Sequence, residues 1–141
     1  MTKQRLEKTV KDMLYDVPNT YYMKLQVNPM AHTPTPGDFL FITYGRNNII
    51  ECKECSGTSF AFSRFTQKKA LLLWQRAILK NKGYIVISFW KGTRKKSTYY
   101  PIRVDDFDDI IKNISKKSVN EADLARYRLD LYEFQTLKWL F

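Results

Sequence analysis

Residues 38–53 read DFLFITYGRNNIIECK, two short apolar runs joined by YGRN. Asp38 to Thr43 and Asn48 to Lys53 predict the paired strands of a β-hairpin. Gly45 and Asn47 can take the positive φ that its turn needs. Side chains alternate along a strand, so Glu51 and Lys53 face one way and Cys52 the other. Ile49 shares the Glu51 face and Ile50 the Cys52 face. A strand that begins in core material therefore delivers an acid and a base side by side at its end. Asp38 opens the partner strand, where the hairpin register can bring it within a few ångströms of Glu51.

Working outward, Thr2 to Tyr15 carries Leu6, Val10, Met13 and Leu14 at helical spacing with charges between them, which predicts a helix. Thr20 to Val27 predicts a strand, and the proline-rich stretch from Asn28 to Gly37 a loop. Beyond the hairpin, Glu54 to Ser59 reads as a polar connection. Thr66 is then a plausible N-cap for a helix running to about Asn81 and ended by Gly83. Tyr84 to Trp90 (YIVISFW) is apolar on both faces, as a fully buried strand is. Lys91 to Lys96 is a basic turn, and Ser97 to Val104 predicts an edge strand because Pro101 interrupts it. Asp105 to Ser115 predicts a helix with acidic residues at its positive end. Ser118 and Glu121 suggest a capping box for another short one. The final LYEFQTLKWLF fits strand or helix. The order predicts an α/β fold with a central mixed sheet flanked by helices. With neither repeat nor linker in its 141 residues, the chain is expected to form one domain over 1–141.

Lys and Arg number 24 against 14 acidic residues, a net charge of +10. That excess favours a polyanionic partner, nucleic acid first. No basic amphipathic helix with a clean apolar face points to a membrane surface, and no apolar run is long enough to span a bilayer. The N-terminal residues are too charged for a secretory signal, and two cysteines fit a reducing compartment, so a cytoplasmic location is expected.

Carboxylates and a lysine in this order suit phosphodiester hydrolysis. Mg²⁺, with Mn²⁺ as a substitute, binds hard oxygens and keeps several waters. Asp38, Glu51 and the backbone carbonyl of Cys52 could hold it together with the substrate phosphate. The ion lowers the pKa of its water, and Lys53 can orient that water or stabilise charge on the phosphate. An acid and a lysine two apart on a strand are commonly a solvated face. It is the upstream Pro36-Gly37-Asp38, the hairpin and the basic composition that together favour a site.

These residues resemble the PD-(D/E)xK nuclease motif, and with it a restriction-endonuclease-like fold. The stretch from Ile49 to Gln75 is more specific. Glu51, Lys53, Glu54, Thr58-Ser59-Phe60 and Gln67 follow in the order seen in RecU-type Holliday junction resolvases, and Gly83 to Phe89 resembles that family's next core strand. The resemblance implies a homodimer that binds branched DNA and cuts four-way junctions symmetrically using Mg²⁺. It also assigns Gln67 to the metal-bound water or scissile phosphate, and Glu7 to the place of an accessory acid. Without the resemblance, Gln67 is a polar residue in a first helical turn and Glu7 part of an exposed helix face. Val27 to Gly37 is short for the stalk of RecU-type proteins, and the short chain would suit a phage- or virus-encoded form acting in a host cytoplasm. A repair or restriction-type nuclease, or a basic DNA-binding protein without catalysis, are the competing functions.

Arg64, Lys68 and Lys69 follow the catalytic strand and are candidates for phosphate contacts. Lys91, Arg94, Lys95 and Lys96 in the basic turn are equally a solvated loop. Phe60, Phe62 and Phe65 suggest core packing or a dimer surface before base stacking. Cys52 and Cys55 form a CxxC without a second ligand pair, and His32 is the single histidine, which argues against structural zinc.

Overall fold

The computed structural model describes residues 2–26, 35–43, 45–92 and 96–141. A five-stranded mixed sheet, in the order β1-β2-β3-β5-β6, lies between two helical layers. Helix α1 (Thr2–Tyr15) precedes β1 (Tyr21–Lys24), β2 (Phe39–Thr43) and β3 (Arg46–Cys55). After the short strand β4 (Ser59–Ala61) come α2 (Lys68–Ala77), β5 (Asn81–Phe89), β6 (Thr98–Arg103) and α3 (Val104–Asn113). Strand β7 (Ser118–Asn120) pairs with β4 in a second small sheet, and α4 (Leu131–Gln135) follows. The architecture is the α/β arrangement expected, and it is restriction-endonuclease-like.

Strands β2 and β3 form the predicted antiparallel hairpin, and Gly45 takes φ +72° in its turn. Asn47 does not share that role. It lies in β3 with ordinary φ, and its amide donates to Asn81 Oδ1 at 3.0 Å. Strands β3 and β5 run parallel, as a strand–helix–strand crossover through α2 allows. Strand β5 is buried on both faces because it has neighbours on both sides and helical layers above and below. Ile85 and Ile87 meet Leu71 and Phe107 on one face, while Tyr84 and Val86 join Leu6, Val10 and Phe134 on the other. Pro101 sits in β6, at the sheet edge as its missing N–H requires.

Four local expectations give way to tertiary contacts. Strand β3 runs on to Cys55, because its ladder with β5 continues through Glu54 opposite Ser88 and Cys55 opposite Phe89, and the buried Glu54 carboxylate finds an ion pair with Arg5. Helix α2 begins after Gln67, with no side-chain cap from Thr66, and stops at Ala77. The Gln75 and Asn81 side chains tie its end to β5 through Gly83 N–H and the Trp74 carbonyl. Gly83 is therefore no helix stop. It lies inside β5, where a Cβ would approach Leu71 Cδ1 to 2.8 Å, so glycine lets the helix close on the strand. Ser118 opens β7 rather than a helix, and Glu121 instead accepts hydrogen bonds from Thr98, Tyr100 and Lys91. The capping box expected there occurs in α4, between Asp130 and Glu133.

Candidate active site

The hairpin ladder ends at Phe39 opposite Ile50, so residues 51–55 of β3 extend past the start of β2. Asp38 fills the corner left open. Its N–H donates to the Ile50 carbonyl at 2.9 Å, and its own carbonyl accepts from Leu25 N–H at 2.8 Å. Gly37 makes the entry possible, since a Cβ there would press on Ile49 and come within 3.1 Å of the Ile50 carbonyl oxygen. With its backbone held on both sides, Asp38 turns Oδ2 toward β3 and accepts the Cys52 N–H at 2.8 Å. The N–H and C=O of one strand residue point to the same side, so the Cys52 carbonyl also faces the Asp38 edge.

Glu51 and Lys53 share the opposite-parity face, as strand alternation requires. Glu51 is 1% exposed and Lys53 8%, and Lys53 Nζ stands 3.1 Å from Glu51 Oε2. A buried carboxylate of this kind is tolerable because the ammonium sits beside it. The three residues Asp38, Glu51 and Lys53 are thus gathered at the C-terminal end of β3. Asp38, Glu51 and the Cys52 carbonyl could offer hard oxygen atoms to a divalent cation, a donor type that suits Mg²⁺ or Mn²⁺. Among the described residues no three His, Cys, Asp or Glu side chains gather as a ready-made metal cluster.

Glu7 is carried by α1 to β1, the strand that pairs with β2 beside this corner. Lys24 Nζ donates to its Oε2 at 3.2 Å, and Lys24 faces Phe39, the residue after Asp38. Gln67 stands at the entry to α2, in the helical layer on the Glu51 and Lys53 side. Its Oε1 is buried without a hydrogen-bond partner among the described residues.

The basic candidates divide. Arg64 clamps the end of β3, donating to the Glu54 carbonyl at 3.0 Å and to Cys55 Sγ at 3.3 Å. Lys68 donates to Asp108 Oδ1 at 2.7 Å, and Lys91 pairs with Glu121. Lys69 and Lys96 are exposed. Arg94 and Lys95 lie outside the described residues, as does His32. Phe60, Phe62 and Phe65 all pack edge-on against Phe107, at centroid distances of 6.2, 5.9 and 5.7 Å, which is the core role. Cys52 and Cys55 are buried in the cores on opposite faces of the sheet, so they cannot share a metal or a disulfide.

Arg5 carries no sequence signal as a functional group, and the motif order marks Glu54 without its partner. Arg5 on α1 donates through Nε to Glu54 Oε1 at 3.2 Å and lies 3.9 Å over the Trp90 ring. Burial pushes the Glu54 carboxyl up, and the Arg5 charge pulls it partly back. Nothing local in RLEK or KEC announces a pairing across 49 residues.

No protein-family model matches the chain, and no curated protein matches it. Among solved structures it is similar to Hjc from Archaeoglobus fulgidus, a Holliday junction resolvase from an archaeal hyperthermophile. The match has a TM-score of 0.62 and covers 94% of this chain and 98% of that one. Identity is 14%, so what the two chains share is the fold.

Proposed function

We propose that this chain is a Mg²⁺-dependent, structure-selective DNA endonuclease that cuts four-way junctions symmetrically as a homodimer. The observation that carries the reading is the Asp38 Oδ2 to Cys52 N–H bond of 2.8 Å, which sets one carboxylate beside Glu51 and Lys53. The likeness in fold to a junction resolvase and the net charge of +10 support it. The motif order from Glu51 to Gln67 favours a RecU-type relationship, in a short phage- or virus-encoded form.

Asp38, Glu51 and the Cys52 carbonyl would hold the cation, which supplies a water of lowered pKa and neutralises phosphate charge. Lys53 orients the attacking water and offsets charge that accumulates on the phosphate. Asp38 is kept in place by the Cys52 N–H, which would let it hold the cation without first reorganising. Gln67, at the entry to α2 with its Oε1 buried and without a hydrogen-bond partner among the described residues, would contact the same water or the scissile phosphate. Glu7 acts from the rim as an accessory acid. Lys69 and Lys96, with Arg94 and Lys95, bind backbone phosphates. Two such sites in a two-fold dimer match the symmetry of a four-way junction.

Purified protein with Mg²⁺ is assayed on a labelled four-way junction, a flap and a plain duplex. Preferential, paired cuts in the junction are expected. Equal cutting of all three would remove the junction claim and leave a repair or restriction-type nuclease. Binding without cutting under any divalent cation would leave a non-catalytic DNA-binding protein.

A further inference from the structure

On the face of the sheet opposite Glu51 and Lys53, a cleft of about 330 Å³ opens at the C-terminal ends of β3 and β5. Arg5 and Lys8 of α1 form one wall, and Glu54, Ser88, Trp90 and Tyr99 line the rest. Carboxyl ends of parallel strands are where open α/β sheets tend to bind ligands. Glu54 follows Lys53 directly in the chain, so the cleft and the candidate active site share one strand end and differ only in face.

The cleft is built around a fixed guanidinium. The Glu54 side chain is 3% exposed, its Oε1 accepts from Arg5 Nε, and its Oε2 is buried with no hydrogen-bond partner among the described residues. An ion pair with one partner half-exposed to water adds little to the attachment of a helix. What the pair provides is orientation. Glu54 holds the edge of the Arg5 group, and the Trp90 ring supports one face of it at 3.9 Å. The Arg5 side chain is nevertheless 43% exposed, which leaves it accessible from the cleft. A flat cation held in this way stacks on a nucleobase, and unstacked bases are available where strands separate at a branch. Lys8, one helical turn on, lines the same cleft; its exposed pair with Asp12, at 2.9 Å, can be exchanged for the attached phosphate.

We propose that this cleft is a subsite for one unpaired nucleotide of the DNA substrate, its base stacking on the Arg5 guanidinium that Trp90 and Glu54 hold in place. The proposal rests on the nuclease reading only for the ligand being DNA, and its test is done without divalent metal. Arg5→Lys keeps the charge and loses the plane. Affinity for a fluorescein-labelled oligothymidylate should fall about tenfold, while affinity for a duplex of equal length is unchanged. In the wild-type protein, an oligonucleotide carrying 5-iododeoxyuridine should photocrosslink within the cleft lining, at Tyr99 rather than at Trp90, which the guanidinium separates from the base. The crosslink needs no variant to fold. Unchanged single-strand affinity, equal loss on single strand and duplex, or crosslinks mapping only elsewhere would overturn the subsite. A protein that shows the subsite and never cuts DNA would refute the nuclease reading alone.

Discussion

Asp38 Oδ2 accepts the backbone N–H of Cys52 at 2.8 Å, and this bond joins the start of one strand to the middle of its neighbour's acid–lysine run. An asparagine at this position keeps an oxygen for that N–H and loses the charge. Asp38→Asn should therefore fold and bind junction DNA normally while cutting falls at least about 100-fold. Gel-shift and single-turnover cleavage assays check it. Retained cleavage would remove Asp38 from the site.

The pair of Glu51 and Lys53 separates chemistry from stability. Lys53→Met takes the ammonium from 3.1 Å beside a carboxylate that is 1% exposed, at a cost of about 3–5 kcal/mol. Adding Glu51→Gln should recover much of that stability in urea unfolding and none of the cutting. If the double variant is no more stable than Lys53→Met, the buried pair is not the source of the loss.

Two glycines offer a matched comparison. Gly37→Ala and Gly83→Ala both force a methyl group against packed neighbours, each costing about 1–3 kcal/mol. Gly37 precedes Asp38 and presses on the Ile49–Ile50 strand, so its variant should also lower the cleavage rate of the folded protein. Gly83 faces Leu71, away from Asp38, and its variant should lose stability alone. Equal rates for the two folded variants would show that Gly37 does not set the position of Asp38.

Asp108 links stability to pH. The hydrogen bond from Lys68, then that from Lys112, holds its carboxyl below the ordinary 3.8. A depressed folded-state pKa contributes stability that is complete above the unfolded pKa and is lost as pH falls through the folded value. Asp108→Asn should cost about 1–3 kcal/mol at neutral pH. The difference from wild type should shrink as the pH is lowered below about 4. Urea unfolding at both pH values measures it, and a pH-independent difference would mean packing rather than charge.

The hairpin was legible from residues 38–53 because its signals are local: apolar alternation, a glycine turn, and an acid and lysine of equal parity. Parity alone places Glu51 with Lys53, which is why that grouping could be read before any coordinates; that Cys52 and Cys55 face opposite cores follows only from β3 running on to Cys55. The apolar run at 84–89 likewise announced a central strand, and the stripe Leu6, Val10, Met13, Leu14 announced α1. Element ends were less legible. Thr66 and Gly83 are ordinary helix punctuation, yet Gly83 is a glycine because Leu71 packs on it from another element. Ser118 and Glu121 have capping-box spacing, yet Glu121 is drawn away by Thr98 and Tyr100.

The candidate site divides along the same line. Sequence by itself determined that Asp38, Glu51 and Lys53 could meet at one strand end, because covalent spacing and strand alternation act within a few residues. Tertiary structure alone decided that Asp38 is held by Cys52 N–H. It alone bound Lys68 to Asp108, and set Arg5 against Glu54 and Trp90 on the far face. The first contact depends on how a side chain turns at the end of the hairpin. The Lys68–Asp108 and Arg5–Glu54 pairs join residues 40 and 49 positions apart, and their partners are chosen by how helices dock on the sheet, which no local pattern encodes.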